Sequence, residues 1–337
     1  MPSALVTGAS GFLGRQVYKA FTDAGWQTTG TGFSRAAGSI RKVDIQDADA
    51  VERLFDEVNW HTTDRKSSFI VRAADRQPDS CTKNPEAAYR LNVTATQHIA
   101  TAAARHGSFL IYISTDYVFP GKPGEAPYKA TDEPNPTNIY GRTKWEGEKV
   151  VLNTTTDTNA NNYDSSNTPP VKSVVLRVPV LYGPVAESNS ESSVNILMDI
   201  LYKAQEAKDK NPSSTPIKMD DWGIRYPTNI EDVARVCVDT AKYYTSSAAA
   251  ANKELPRILQ FTSEDRMTKY EMCKTFAEIM GLPCDGIVAD KDGGSGAATQ
   301  RPYDTHLDTS DLKKLGIDVS TVDFVAWWRR YVGAFRH

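Results

Sequence analysis

A glycine-rich turn near the N-terminus constrains the fold of this chain more than any other stretch. Residues 6–14 read VTGASGFLG, the apolar residues Ala4–Val6 lead into the turn, and apolar residues at helical spacing follow it. This pattern predicts a strand, a tight turn at Gly8, a close backbone approach to a ligand at Gly11, and a helix packed closely at Gly14. Backbone N–H groups and the positive end of the helix dipole converge at such a turn. The stretch therefore predicts a pyrophosphate site, although its spacing is G-x-x-G-x-x-G rather than G-x-G-x-x-G.

Segments of strand and helix character alternate after this turn. Strands are predicted at 27–32, 43–45, 68–71, 108–113 and 174–183, with helical segments between most of them, including one that Pro85 opens and that runs to Gly107. Such alternation is typical of an α/β fold in which helices cover both faces of a parallel sheet. With the glycine turn, it predicts a Rossmann-type, doubly wound parallel sheet.

The chain divides by composition into two parts. Residues 1–183 are predicted to form mainly the dinucleotide-binding domain, interrupted at 153–172 by a polar insertion with hardly an apolar residue. Residues 184–337 are predicted to form mainly a smaller C-terminal α/β lobe for a substrate or a partner, with some chain crossing back to the first domain.

The end of the second predicted strand indicates which dinucleotide binds. In dinucleotide folds a carboxylate here holds the adenosine 2′-hydroxyl, whereas a hydroxyl and a guanidinium accommodate a 2′-phosphate. No Asp or Glu lies between Gln27 and Lys42. Arg35 is therefore the predicted main phosphate partner, with Ser34 and Arg15 as helpers, and the predicted cofactor is NADP(H) rather than NAD(H).

The remaining cofactor contacts are predicted mostly at strand ends. Asp44 and Ile45 would lie beside the adenine, and the small residues Ala73 and Ala74 would let the cofactor lie against the backbone. The complete predicted cofactor-binding set is Thr7, Gly8, Ser10, Gly11, Phe12, Leu13, Gly14, Ser34, Arg35, Asp44, Ile45, Ala73, Ala74, Asn92, Tyr140, Lys144, Arg177 and Pro179.

A proton-transfer constellation follows the strand at 108–113. Thr115, with Ser114 as an alternative, offers a hydroxyl to a substrate carbonyl or alcohol, and Tyr140 and Lys144 lie one helical turn apart on one face. A free tyrosine has a pKa of about 10. Catalysis near neutral pH therefore requires the free energy of deprotonating the phenol to fall by roughly 4 kcal/mol. The ammonium of Lys144 is expected to supply much of it and to hold the nicotinamide ribose. Thr115, Tyr140 and Lys144 are the predicted catalytic residues.

Charge and cysteine usage exclude several classes of function. The net charge of −3 argues against nucleic acid or an anionic membrane as the main partner. No secretory leader and no apolar run of membrane-spanning length is apparent, which predicts a cytoplasmic or nuclear protein. Cys81, Cys237, Cys273 and Cys284 are widely spaced, so we expect reduced structural cysteines and no metal site.

These motifs resemble those of the extended short-chain dehydrogenases/reductases. The resemblance rests on the glycine turn, the STDYVF stretch at 114–119, and Tyr140 with Lys144. Within that superfamily, STDYVF, YPT at 226–228 with Asp232, and RP at 301–302 resemble the dTDP-4-dehydrorhamnose reductase branch.

Longer stretches are similar to the family of regulatory β subunits of methionine adenosyltransferase. They are residues 76–79, 109–114, 138–144, 219–228, 267–272 and 335–337. This resemblance implies a bound NADP(H) and association with the catalytic subunit that makes S-adenosylmethionine. It also implies that the C-terminal tail inserts into that partner, which would give the aromatic residues Phe324, Trp327, Trp328, Tyr331 and Phe335 a second purpose besides packing.

Two functions of different class follow from the sequence. The first is an NADP(H)-binding regulatory subunit of methionine adenosyltransferase, favoured because the resemblance extends through stretches without catalytic duty, such as 267–272. The second is an NADPH-dependent reductase of a nucleotide-linked 4-keto sugar, supported by the intact Thr115, Tyr140 and Lys144. Fold and site can outlive a change of role, so the sequence leaves open whether the protein is an enzyme.

Overall fold

The computed structural model describes residues 1–58, 68–72, 77–154, 173–251, 255–293, 296 and 298–334. The predictions for Ala73 and Ala74, for most of the polar insertion (155–172) and for the closing residues 335–337 fall outside the described residues.

Strands and helices alternate through the first half of the chain, as the sequence predicts. The elements are β1 (Ser3–Thr7), α1 (Phe12–Asp23), β2 (Gln27–Gly32), β3 (Arg41–Lys42), α2 (Ala48–Glu57), β4 (Ser68–Arg72), α3 (Pro78–Lys83), α4 (Pro85–Tyr89), a π-helical turn (Arg90–Thr94), α5 (Ala95–Arg105), β5 (Phe109–Thr115), a 3₁₀ turn (Asp116–Val118), α6 (Ile139–Thr154) and β6 (Ser173–Val178).

The second half is made of shorter pieces. They are β7 (Leu181–Tyr182), a 3₁₀ turn (Asn189–Glu191), α7 (Ile196–Lys210), β8 (Ile217–Asp220), β9 (Thr228–Asn229), α8 (Ile230–Tyr244), α9 (Ser247–Ala251), β10 (Ile258–Gln260), α10 (Lys269–Met280), β11 (Ile287–Asp290), α11 (Ser310–Lys314) and α12 (Phe324–Tyr331).

Within the described residues, seven strands form one parallel sheet in the order β10-β6-β5-β4-β1-β2-β3. The chain starts at β1 near the middle, proceeds outward through β2 and β3, and then returns to β4 on the other side of β1. The order therefore reverses beside β1, and such a switch point opens a crevice at the carboxyl ends of the strands. The predicted α/β fold with a doubly wound parallel sheet is confirmed.

Apolar side chains cover both faces of this sheet. On one face α1 and α8 pack through Val17, Phe21 and Val233 against strand residues such as Val6 and Ile111. On the other face α2 and α5 pack through Leu54, Phe55 and Ile99 against strand residues such as Leu5 and Leu110. Because both faces are buried, the sheet leaves only its carboxyl edge for a ligand.

A second apolar cluster holds the smaller elements together. It joins α7, α10 and α12 through Leu201, Phe276, Phe324 and Trp328. Trp328 is fully buried and packs edge-on to Phe276, with ring centroids 4.7 Å apart. The aromatic residues of α12 that the structure describes are therefore largely part of this cluster.

Three details differ from the sequence prediction. The strand predicted over 174–183 ends at Val178, and the chain then forms β7, which pairs with β9 outside the large sheet. The third strand is Arg41–Lys42 rather than 43–45, because the edge strand pairs only with Thr31 and Gly32 and Asp44 then turns the chain, its carboxylate accepting from the Gln46 N–H at 2.9 Å. The helix from Pro85 is interrupted by the π-helical turn Arg90–Thr94 and ends at Arg105.

Candidate functional site

A cleft of about 670 Å³ lies along the carboxyl edge of the large sheet. Residues from the ends of β1, β2, β5 and β6 line it together with residues from the second half of the chain. The predicted site residues that the structure brings together here are Thr7, Gly8, Ser10, Gly11, Phe12, Leu13, Gly14, Ser34, Arg35, Thr115, Tyr140, Lys144 and Pro179, joined by Ser114.

The glycine turn has the shape of a backbone cradle. Gly8 has φ +70°, and the Gly11 N–H donates to the Gly8 carbonyl at 2.8 Å. A Cβ atom on Gly14 would stand 2.0 Å from the Gly8 oxygen, and one on Gly32 would stand 2.5 Å from Ser10 Oγ. Gly11 is the N-cap of α1 and makes no side-chain cap hydrogen bond, so the positive end of this helix suits an anionic ligand.

Thr115, Tyr140 and Lys144 meet where β5 ends and α6 begins. Thr115 Oγ1 donates to the Asp116 carboxylate at 3.0 Å. Lys144 is buried, and its Nζ donates to the Ile113 carbonyl at 2.6 Å and stands 4.0 Å from the centre of the Tyr112 ring. These contacts fix the lysine beside the strand end and within the wall of the cleft.

The protonation of Tyr140 differs from the sequence expectation. Burial raises the pKa of the Tyr140 phenol above its usual value, and a hydrogen bond with Thr115 only partly lowers it. The expectation that the Lys144 ammonium brings this pKa toward neutrality is wrong for this arrangement, since that ammonium is directed at the Ile113 carbonyl. Tyr140 is thus a neutral phenol that can donate a proton or a hydrogen bond.

Two neighbouring groups at this end of the cleft have unusual surroundings. Burial raises the pKa of Asp116 to about 6, although hydrogen bonds from Thr305 and Thr115 oppose the shift. The hydroxyl of Ser114 lines the cleft and is buried without a hydrogen-bond partner among the described residues. A buried hydroxyl of this kind is satisfied when a polar ligand atom lies against it.

Three cations that were not predicted as site residues also line the cleft: Arg225, Lys269 and Arg301. Arg225 is buried; its Nη1 donates to the Ile224 and Pro302 carbonyls, and its Nη2 has no hydrogen-bond partner within the described part of the chain. The nearest acid to Nη2 is Asp220, at 3.6 Å.

The other two cations reinforce this positive region. Burial, followed by the nearby charges of Arg225 and Arg301, lowers the pKa of Lys269 to about 8. Arg301 Nη2 is 2.8 Å from the carboxylate of Asp79. In the sequence, only their positions next to quoted motifs could have indicated these cations as site residues. Arg225 precedes the YPT stretch, Lys269 follows a capping threonine, and Arg301 begins the RP pair. Together they suit an anionic ligand group.

Arg177 is not part of the cleft, which corrects the prediction that it binds the cofactor. It is 1% exposed, and its guanidinium forms a two-pronged ion pair with Glu148 of α6, at 2.9 and 2.7 Å. Every residue of β6 is buried, so this cation points into the layer between strand and helix rather than to the sheet edge. Its role is to join β6 to α6.

Three further predicted cofactor residues do not line the cleft. Asn92 is buried in the π-helical turn, where its amide donates to Thr143 Oγ1 at 3.0 Å. Asp44 and Ile45 follow β3 and are partly exposed beside α2. The predicted adenine contacts are therefore absent from the cleft that the described residues form.

The structure adds two negative findings. No helix in the described ranges has both the length and the apolar character needed to cross a membrane. Among the same residues, no group of three or more His, Cys, Asp and Glu side chains is arranged to hold a metal ion.

Sequence comparison places this chain close to known proteins. Residues 2–327 match the family described as RmlD substrate binding domain. The chain is 39% identical to methionine adenosyltransferase 2 subunit beta of Xenopus tropicalis over 94% of this chain and 84% of that protein. It is 35% identical to the same subunit of Danio rerio over 99% of this chain and 91% of that protein.

Structural comparison finds the same fold in a reductase. The dTDP-4-dehydrorhamnose reductase of Bacillus anthracis, solved in complex with NADP, superposes with a TM-score of 0.74 at 20% identity. The match covers 98% of this chain and 99% of that chain. At this identity the likeness concerns the fold.

Proposed function

This chain belongs to the RmlD substrate binding domain family of extended short-chain dehydrogenases/reductases, alongside the beta subunits of methionine adenosyltransferase 2, and we propose that it is an NADP(H)-binding regulatory subunit of methionine adenosyltransferase. In this role it would associate with the catalytic subunit and modulate the synthesis of S-adenosylmethionine. The observation that carries the proposal is the identity of 35–39% to two such subunits across almost the whole chain.

The cleft supports the cofactor part of the proposal. The glycine cradle leaves no room for side chains at Gly14 and Gly32, as expected where a pyrophosphate backbone lies close. The unpartnered hydroxyl of Ser114 offers a hydrogen bond further along the cleft. Ser34 and Arg35 in the loop after β2 offer a hydroxyl and a guanidinium, which favours the 2′-phosphate of NADP(H).

A bound nicotinamide dinucleotide would supply a hydride, and the chain's own residues would place the group that receives it. Thr115 and Tyr140 offer hydroxyls at the end of β5, and the neutral phenol of Tyr140 would donate a proton to a developing alkoxide. Lys144 would hold the nicotinamide ribose. In a regulatory subunit the same contacts serve to bind the dinucleotide as a structural or regulatory ligand.

The C-terminal face is the proposed contact with the catalytic subunit. A groove of about 560 Å³ runs between α7, α10 and the end of α12, and Tyr202, Tyr331 and Val332 are exposed there. Ala334, the last residue that the structure describes, lines the same groove. Such a surface suits a protein partner of the kind expected for a cytoplasmic or nuclear complex.

Truncation of the tail tests the proposed contact. Deleting residues 332–337 should weaken binding to the methionine adenosyltransferase catalytic subunit at least about tenfold, measured by sedimentation of purified proteins, because the exposed Val332 is lost together with the residues after it. Binding of NADPH should stay at the full-length value, since the cleft lies elsewhere.

A surface-aromatic variant serves as the control for this deletion. Tyr89→Ala removes an exposed ring from α4 and should leave the complex intact. Equal affinity of the full-length and truncated chains for the catalytic subunit would refute the tail contact.

A second function is favoured by the cations of the cleft. Arg225, Lys269 and Arg301 face the same space as Thr115 and Tyr140, as a substrate with a charged nucleotide and a reducible sugar would require. The alternative is therefore an NADPH-dependent reductase of a nucleotide-linked 4-keto sugar.

The reductase alternative predicts NADPH oxidation in the presence of dTDP-4-dehydrorhamnose. Tyr140→Phe should lower that rate at least about 100-fold, because the proton donor is lost, while NADPH still binds. Steady-state absorbance of NADPH measures the rate, and Tyr18→Phe, on α1 outside the cleft, is the matched control. No oxidation by the unmodified chain would remove this alternative.

A further inference from the structure

A buried carboxylate stands at the end of the cleft where Ser34 and Arg35 lie. Glu191 ends the 3₁₀ turn Asn189–Glu191, which belongs to the second half of the chain, and it lines the cleft together with Arg35. Its side chain is only 5% exposed, which is unusual for an ionisable group. Sequence reasoning gave it no role.

Glu191 bridges two arginines of the dinucleotide-binding half. Its Oε2 accepts a short hydrogen bond from Arg15, and its Oε1 lies 3.9 Å from Arg35 Nη1. The backbone N–H of Glu187 also donates to Oε1, at 3.0 Å. Burial opposes ionisation of Glu191, but the bonds from Arg15 and from the Glu187 N–H outweigh it and lower its pKa, so the group is a carboxylate at neutral pH.

The two arginines are held unequally. Both terminal nitrogens of the Arg15 guanidinium are held, because Nη2 donates to Glu191 and Nη1 donates to the Ser10 carbonyl at 3.1 Å. Arg35 is 40% exposed on the loop after β2, and 3.9 Å is too long for a hydrogen bond to Glu191. Arg35 is therefore the partner that can leave the carboxylate for another anion.

The turn that carries Glu191 is itself anchored. Ser192 Oγ donates to the Leu181 carbonyl at 2.7 Å, and Asn189 donates to Asp199 of α7 at 2.7 Å. The carboxylate cannot simply follow Arg35, so an anion that arrives beside Arg35 meets a fixed negative charge.

We infer that Glu191 is an internal anion which pairs with Arg35 in the place that a ligand phosphate would take, and so limits the preference of the cleft for NADP(H) over NAD(H). The inference rests on the proposed dinucleotide binding. A 2′-phosphate carries close to two negative charges near neutral pH, so it must both draw Arg35 away and tolerate Glu191 as a neighbour. A dinucleotide without that phosphate binds without displacing Arg35 and without repulsion from Glu191.

The isosteric variant Glu191→Gln tests this assignment. Gln keeps an oxygen for Arg15 and removes the competing charge, so NADPH should bind about three- to tenfold more tightly while the affinity for NADH stays the same. Calorimetric titration of the full chain with NADPH and with NADH measures both dissociation constants.

A matched control and a second variant complete the experiment. Glu187→Gln removes an exposed charge from the same segment and should change neither affinity by more than about twofold. In an Arg35→Leu background, Glu191→Gln should tighten NADPH binding less than it does in the unmodified chain, because only the repulsion between Glu191 and the phosphate is then relieved and the competition for Arg35 is absent.

The outcomes separate this inference from the proposed function. Unchanged or weaker NADPH binding by Glu191→Gln, or equal tightening of NADPH and NADH, would overturn the inference while dinucleotide binding stands. Binding of neither dinucleotide by the unmodified chain would overturn both.

Discussion

At the residue scale, the side chains that were predicted well are those whose partners are close in sequence. Tyr140 and Lys144 share one helical turn, and the glycines of the first turn lie within seven residues, so spacing predicted the members of each group to lie together. The fold then brings the two groups to one cleft. Arg225, Lys269 and Arg301 come from distant elements and only the fold brings them together. Glu191 pairs with Arg15 across 176 residues and left no local pattern.

Burial is the second property that residue spacing does not supply. Arg177 follows buried strand residues, and the sequence could not tell whether its guanidinium reaches the cleft or turns toward α6. Likewise the pKa of Tyr140 depends on how deeply the phenol is buried and on where the Lys144 ammonium points. Both corrections come from the direction of a side chain rather than from the type of residue.

The ion pair of Arg177 and Glu148 makes a prediction about stability. Glu148→Gln should lower the free energy of unfolding by about 3–5 kcal/mol, because it leaves the Arg177 guanidinium buried without a compensating charge. Urea denaturation of the full chain measures the change. The control is Glu52→Gln, which breaks an exposed ion pair with Arg105 and should cost less than about 1 kcal/mol. Equal losses in the two variants would contradict the structural role of Arg177.

At the scale of elements, the regular parts of the sheet were predictable and the edges were not. The strand Gln27–Gly32 has the predicted bounds, and β5 follows its apolar run and continues to Thr115. The edge strand β3 has only two paired residues, so its own side chains hardly define it and the prediction was displaced to 43–45. The π-helical turn at Arg90–Thr94 has no sequence signature of the kind that caps and glycines give to helix ends.

The last helix, α12, is buried along most of its length and exposed at its C-terminal end. Phe324, Trp327 and Trp328 of α12 are buried, whereas Tyr331 and Val332 at its end are exposed beside the groove of α7 and α10. The helical spacing predicted a packed stripe, and the structure places most of it inside the lobe. Among the described residues of this stretch, Tyr331 and Val332 are therefore the apolar side chains that the lobe leaves exposed.

At the scale of the whole molecule, the cleft depends on chain that returns from the second half. Strand β10 at Ile258–Gln260 completes the large sheet beside β6, and cleft residues range from Thr7 to Arg301. Such long-range assembly explains why the sequence predicted the first half of the cleft and little of the second. It also means that a ligand in the cleft contacts elements from both halves of the chain.

A regulatory subunit of methionine adenosyltransferase must change the rate at which S-adenosylmethionine forms, and that rate can be measured. The catalytic subunit from the same cells is assayed with methionine and ATP while this chain is added in increasing amounts. We expect a change in rate that saturates at a fixed ratio of the two chains and persists with Tyr140→Phe, because the regulatory role needs no proton transfer. A rate that stays constant up to a large excess of this chain, with both proteins folded, would contradict it.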